Sequence, residues 1–290
     1  MDKYKTVIKE LGADENVCDE ILNYCENKFN VKDYTPQPIE DEPFIYTWRN
    51  IISEIHDGNI NEVMNDRLPH GDEDIKLKFP EKVTMEIYNS IAGNIPVIYA
   101  RDEEDFYEIV KKLIYKGKPA PNLEKTGASF AYGQTNRFII LSNKPYSNIP
   151  ASELGLDEDQ WKSFSVIIRR EHECTHYFTK RFLGSSQNNL HDELIADFTG
   201  IMCATGEFKA DWFLKGMGID LYPKKQKIGR FPVYTSEVSP KAAEILKKII
   251  IKVANNIESW SKEESVRSMS KNERILFLCA NSLLDFYLMQ

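Results

Sequence analysis

The sequence predicts a helix-rich α+β fold with a small mixed sheet, and three observations carry that prediction. Apolar residues recur at helical spacing through long segments at both ends of the 290-residue chain. Short β-branched runs, IPVIYA at 95–100 and RFIILS at 137–142, are confined to the middle. Apolar residues make up 42% of the chain, enough for a substantial core. The expected organisation is a helical N-terminal region over 1–75, a core over 76–235 that holds the sheet, and C-terminal helices over 236–290 packed on that core.

Residues 4–30 read as helical, because Val17, Cys18, Ile21, Leu22 and Cys25 share one helical face. DYTPQPIEDEP, 33–43, carries three prolines and four acids and reads as a surface connection. FIYTWRNIISEIHD, 44–57, returns to helical spacing. IPVIYA reads as a buried strand. Asp102 is placed to cap the helix EEDFYEIVKKLIY. After the loop KGKPAPNLEKTG, ASFAYGQ and RFIILS flank Thr135 and Asn136 as two paired strands. Asp157 or Asp159 opens a long helix to about Phe182, and Gly184 stops it. SSQNN is a polar turn into the helix LHDELIADFTGIMCAT. Beyond 210 a loop region is expected, then a helix begun by Ser239 and Pro240 and a last helix from Ser270, where Ser270 and Glu273 have capping-box spacing.

Charge and composition exclude several classes. Net charge is −8 and no long basic block is present, so no nucleic-acid partner is expected. Lys224, Lys225, Lys227 and Arg230 read as a solvated loop. The start, MDKYKTVIKELGADENV, lacks the apolar region of a secretory leader. No apolar run is long enough to span a bilayer, and the longest, ILKKIIIKV, is broken by lysines. Cysteines 18, 25, 174, 203 and 279 form no CxxC pair and read as reduced, mostly buried thiols. A cytoplasmic protein is expected.

One stretch concentrates the chemistry: REHECTHYF, 170–178. His172 and His176 are four apart and therefore lie one above the other on a helix, two imidazoles aimed at one point. That is the geometry of two corners of a tetrahedral zinc site. Glu173 sits about 100° round the helix, out of comfortable reach of the ion but able to take a proton from a water bound to it. A catalytic zinc commonly has a third protein ligand. Glu193, in HDELIAD on the next helix, would complete a His₂Glu set. Asp197, four residues on, would accept a free ring N–H from a ligand histidine and fix its tautomer.

H172-E173-C174-T175-H176 followed by E193-L194-I195-A196-D197 resembles the gluzincin class of zinc metallopeptidases. Thermolysin-like, HtpX-like and CaaX-prenyl-protease-like families share this HExxH-then-ExxxD pattern. The ExxAD form is most similar to the HtpX-like arrangement, whose members carry membrane helices, and the soluble ImmA/IrrE-like peptidases have a similar third-ligand helix. The resemblance covers roughly residues 160–205. It implies a zincin-like catalytic core at 76–235, Zn²⁺ on His172, His176 and Glu193, Glu173 as the base and Asp197 as support. Helices of this class usually have an uncharged residue two before the first histidine, where this chain has Arg170. Arg169 and Arg170 are expected to turn to solvent or pair with carboxylates.

Other residues have weaker claims. A peptidase needs a donor for the developing oxyanion, and His191, Tyr222, Arg230 and Tyr234 are the candidates for transition-state or substrate contact. Cys174 lies about 200° from His172 and should face the core, with Cys203 likewise packed. His56 and His70 read as surface or structural. RFIILSNKPYSNI reads either as an edge strand beside the active-site helix, to which an extended substrate could add, or as a plain core strand. The expected function is a zinc-dependent peptidase acting on a peptide or protein substrate. The alternative is a catalytically weak, metal-binding regulatory or partner-binding protein on the same scaffold, and a metal-free helical interaction protein is a further rival.

Overall fold

The computed structural model describes residues 2–36, 38–133, 136–185, 187, 189–219 and 229–289. It is helix-rich with one small mixed sheet, the α+β class expected. In chain order the elements are α1 (Asp2–Glu10), α2 (Glu15–Tyr24), α3 (Pro43–Ser53), α4 (Ile60–Arg67), β1 (Val83–Ser90), β2 (Gly93–Ala100), α5 (Glu103–Leu113), β3 (Ala128–Tyr132), β4 (Arg137–Ser142), α6 (Glu158–Phe182), α7 (Leu190–Thr205), α8 (Ala210–Met217), α9 (Phe231–Tyr234), α10 (Pro240–Ser261), α11 (Glu264–Arg267), α12 (Lys271–Ala280) and α13 (Leu283–Leu288).

The helix starts follow side-chain chemistry. Asp102 accepts from Glu104 N, and Ser239 from Ala242 N. Asp157 accepts from the amides of Asp159 and Gln160 at the start of α6. Ser270 and Glu273 form the full capping box of α12. Each satisfies amides that the first helical turn leaves without intrahelical partners.

Several elements differ from expectation, α4, α11 and α13 among them as additions. The single helix over 4–30 is two, because Gly12 at φ +101° turns the chain and Asp14 starts a new helix by accepting from Val17 N. β1 is added before β2, with Val83, Met85 and Ile87 alternating against Thr84 and Glu86. The loop expected after 210 begins instead with α8, whose Trp212, Phe213, Leu214 and Met217 are buried.

Contacts divide the chain into two compact units, 36–174 and 1–35 with 175–290; α6 has residues in both. In the first unit the sheet order is β1-β2-β4-β3. β1 runs antiparallel to β2, β3 antiparallel to β4, and β2 pairs parallel with β4, Val97 opposite Ile139. The parallel step is closed by a crossover through α5. One face of the sheet, with Val83, Ile98, Phe138 and Ile140, joins Trp48 of α3, Met64 of α4 and Phe106 of α5 in a continuous apolar core. The other face carries Tyr88 and Tyr99, which meet α6: Tyr88 donates to Glu171, and Arg170 Nη1 donates to Tyr99 Oη at 3.2 Å. β4 is thus an internal strand, the core-strand reading of the two open for it, because β3 folds back along its outer side.

In the second unit α10 packs against α2, α8, α11 and α13, and α7 against α8 and α12. α7 is buried from Leu190 to Met202, so its acids and its histidine need partners inside the protein. No helix among the described residues is long and apolar enough to cross a membrane.

Candidate metal centre

Helix α6 arranges its chemistry in stripes. Trp161, Ser165, Arg169 and His172 recur at helical spacing and bind the segment 142–149. Trp161 Nε1 donates to Ile149 O at 2.7 Å, and Ser165 Oγ accepts from Tyr146 N at 2.8 Å. The Arg169 guanidinium caps the carbonyls of Lys144 (2.5 Å) and Pro145 (2.8 Å). The segment so fixed puts Tyr146, 8% exposed, with its Oη 3.1 Å from His172 Nδ1. With Nδ1 occupied, the nitrogen that His172 offers to a ligand is Nε2. His176 is one turn on, with its side chain 19% exposed.

The N-cap Asn189 starts α7 by accepting from the amides of His191 and Asp192. One turn in, Glu193 turns one oxygen, Oε1, to within 3.4 Å of His176 Nε2. Its other oxygen, Oε2, receives Arg230 Nη1 at 2.9 Å, and Nη2 of the same guanidinium binds Asp197 Oδ2. Burial first, and then the charge of Glu193, push the Tyr234 phenol well above the usual tyrosine range. Tyr24 fixes this neighbourhood, its Oη accepting from Leu190 N and donating to Tyr234 O, each at 3.0 Å.

His172, His176 and Glu193 each offer one ligand atom, and these atoms lie within 4.8 Å of one another. Two ligands at roughly 2.0–2.1 Å from one ion at the tetrahedral angle stand about 3.3–3.4 Å apart. The 3.4 Å between His176 Nε2 and Glu193 Oε1 has that spacing. Two imidazoles and a carboxylate are a donor set that suits zinc. Glu173 is half-buried, and its carboxylate makes no hydrogen bond or ion pair among the described residues.

Several expectations need correction. Arg169 is 5% exposed and holds backbone carbonyls, neither of the outcomes expected for it, whereas Arg170 takes the carboxylate pairing expected, its Nε 3.5 Å from Glu171 Oε1 while the guanidinium stacks 3.9 Å over the Tyr88 ring. Arg230 is not a solvated loop cation but the partner of two buried carboxylates. His191 is 3% exposed, its ring edge-on to Phe29 and Phe286 with Nε2 3.2 Å from Leu278 O. Burial lowers its pKa to about 4, and the contacts make it a core residue. Cys174 is fully buried as expected, whereas Cys203 is exposed. His56 is exposed, and His70 binds the carbonyls of Asn65 and Glu73. Tyr222, Lys224, Lys225, Lys227 and Thr135 lie outside the described residues.

Tyr146 is the residue that sequence reasoning missed. It stands 26 positions before His172, and no local motif ties the two. Tyr146→Phe removes the hydroxyl that hydrogen-bonds His172 Nδ1, and loss of such a partner to a metal-ligating histidine typically costs 10–100-fold in metal affinity. If the cluster holds zinc, its dissociation constant should rise about tenfold in a competition titration with a chelating dye. An unchanged constant would remove Tyr146 from the metal centre.

A family model, described as a family of unknown function, matches residues 69–137 and 134–289. The chain belongs to that family, DUF7005. Tyr146, His172, His176, Glu193 and Arg230 all fall within the second matched segment. No curated protein and no solved structure matches this DUF7005 chain.

Proposed function

We propose that the chain is a zinc-dependent peptidase that hydrolyses a peptide or protein substrate by metal-activated water, on a zincin-like core. One observation carries the reading: His172, His176 and Glu193 converge with the spacing of a three-residue metal site, and Glu173, on the turn between the histidines, has a carboxylate with no hydrogen bond or ion pair among the described residues. Bound zinc supplies Lewis-acid polarisation of the scissile carbonyl and a water of lowered pKa.

The protein's own groups do the rest. Glu173 takes a proton from the attacking water and returns it to the leaving amine. Tyr146 holds the His172 ring in the tautomer with Nδ1 protonated. Arg230 fixes the second oxygen and the orientation of Glu193, and so acts as a positioning residue. Five free cysteines agree with a reducing, cytoplasmic setting.

The test is direct. Protein purified without a metal-binding tag should carry about one equivalent of zinc. It should also cleave a quenched fluorescent peptide library, lose that activity to 1,10-phenanthroline, and regain it with added zinc. A metal-free protein whose melting temperature ignores chelator and zinc alike would end the proposal. Bound zinc without cleavage would favour the partner-binding alternative.

A further inference from the structure

A cavity of about 590 Å³ lies in the 36–174 unit, apart from the three ligand side chains. One wall is a second stripe of α6, including Ser163, Val166 and Arg170; the opposite wall is the β1–β2 surface with Glu86, Tyr99 and Arg101. Arg170, the residue that departs from the metallopeptidase pattern, is the centre of this wall. Its guanidinium is stacked 3.9 Å over Tyr88 and donates through Nη1 to Tyr99 Oη at 3.2 Å. Nη2 makes no hydrogen bond among the described residues, and neither does the Arg101 guanidinium, which is exposed and has no ion pair there.

The charges around the cavity are only partly engaged. Arg101, Arg170 and Lys162 line it with Glu86 and Asp159, and Arg170 Nε also stands 3.5 Å from Glu171 Oε1. Glu86 already accepts from Tyr99 Oη at 2.6 Å and lies 3.9 Å from Arg170 Nη1. The Asp159 side chain is 95% exposed and stands 3.8 Å from Lys162. What is left over is guanidinium donor capacity, whose planar fork suits a carboxylate.

The same stripe continues to Glu173. Arg170 and Glu173 are three residues apart, a rise of about 4.5 Å along the helix axis. One residue of an extended peptide spans about 3.3–3.6 Å. We propose that this cavity binds a carboxylate of the peptide substrate, an acidic side chain or the C terminus, one or two residues from the scissile bond. The proposal rests on the peptidase reading for its place in a reaction, but not for its binding chemistry.

The experiment uses full-length Glu173→Gln protein and three fluorescein-labelled peptides followed by anisotropy: Ala-Ala-Glu-Ala-amide, Ala-Ala-Gln-Ala-amide, and Ala-Ala-Ala-Ala with a free C terminus. At least one of the two carboxylate peptides should bind about tenfold more tightly than the neutral amide, the size of one charge-assisted hydrogen bond. Which of them does so separates side-chain from C-terminal recognition. Arg101→Gln, at an exposed position, and Arg170→Gln should each bring that ratio toward parity, a readout that a merely structural role would not move. Equal affinities for all three peptides, no binding of any, or a ratio unmoved in both arginine variants would overturn the proposal. Failure of the zinc-loaded wild type to cleave would remove the peptidase reading and leave this ratio standing, so the two failures are distinguishable.

Discussion

Glu173→Gln is expected to leave zinc bound and to lower kcat by about 10²–10⁴-fold on any peptide the wild type cleaves, the usual contribution of a positioned general base. The amide keeps the size of the carboxylate but cannot accept the water's proton. Two rival effects are small. Glu173 is not among the three converging ligands, so zinc content should match the wild type. The carboxylate makes no hydrogen bond or ion pair among the described residues and is only half-buried, so the folded state loses no described contact. Such a substitution typically changes stability by no more than about 0.5 kcal/mol. The loss should therefore fall on kcat, with KM nearly unchanged, as for a group acting in the transition state. Zinc analysis, thermal melts and initial rates on one cognate peptide check all three. A variant with full activity would place the base elsewhere.

What the sequence makes legible is local, and what it hides is non-local. The His172–His176 spacing is a consequence of helical period alone, and it is readable without any fold. So are the caps: Asp102, Asp157, Ser239 and Ser270 all accept the amides that their positions predict. The internal place of β4 is not readable, because strand order depends on which side of β4 the antiparallel β3 returns along. Arg230 is hidden for the same kind of reason. In a run with three lysines it looks solvated, yet it pairs with carboxylates 37 and 33 residues earlier in the chain. Only the buried environment of α7 makes such a partner necessary, and burial of that helix comes from packing. The joining of residues 1–35 with 175–290 in one unit is likewise a fact of tertiary contact, with no local signal.

The second large effect concerns that pairing. Arg230→Met should destabilise the metal-free protein by about 3 kcal/mol, the low end for breaking a buried ion pair. The low end applies because Arg230 is 24% exposed while Glu193 is 3% and Asp197 0% exposed. Methionine keeps a flexible side chain of comparable length in the space, so most of the cost is electrostatic: two carboxylates one helical turn apart lose the cation that bonds both. If Glu193 is a metal ligand, a divalent ion offsets part of that loss, and the cost in saturating zinc should fall to roughly half. The difference, on the order of 1.4 kcal/mol, must by linkage appear as zinc affinity about tenfold higher in the variant than in the wild type. Loss of orientation at Glu193 works the other way, but the charge left buried outweighs it when both carboxylates are this inaccessible. Urea unfolding of both proteins, with and without zinc, gives the four free energies that close the cycle. An equal cost in the two conditions would mean that Arg230 stabilises α7 independently of any metal, and that Glu193 and the paired imidazoles do not share an ion.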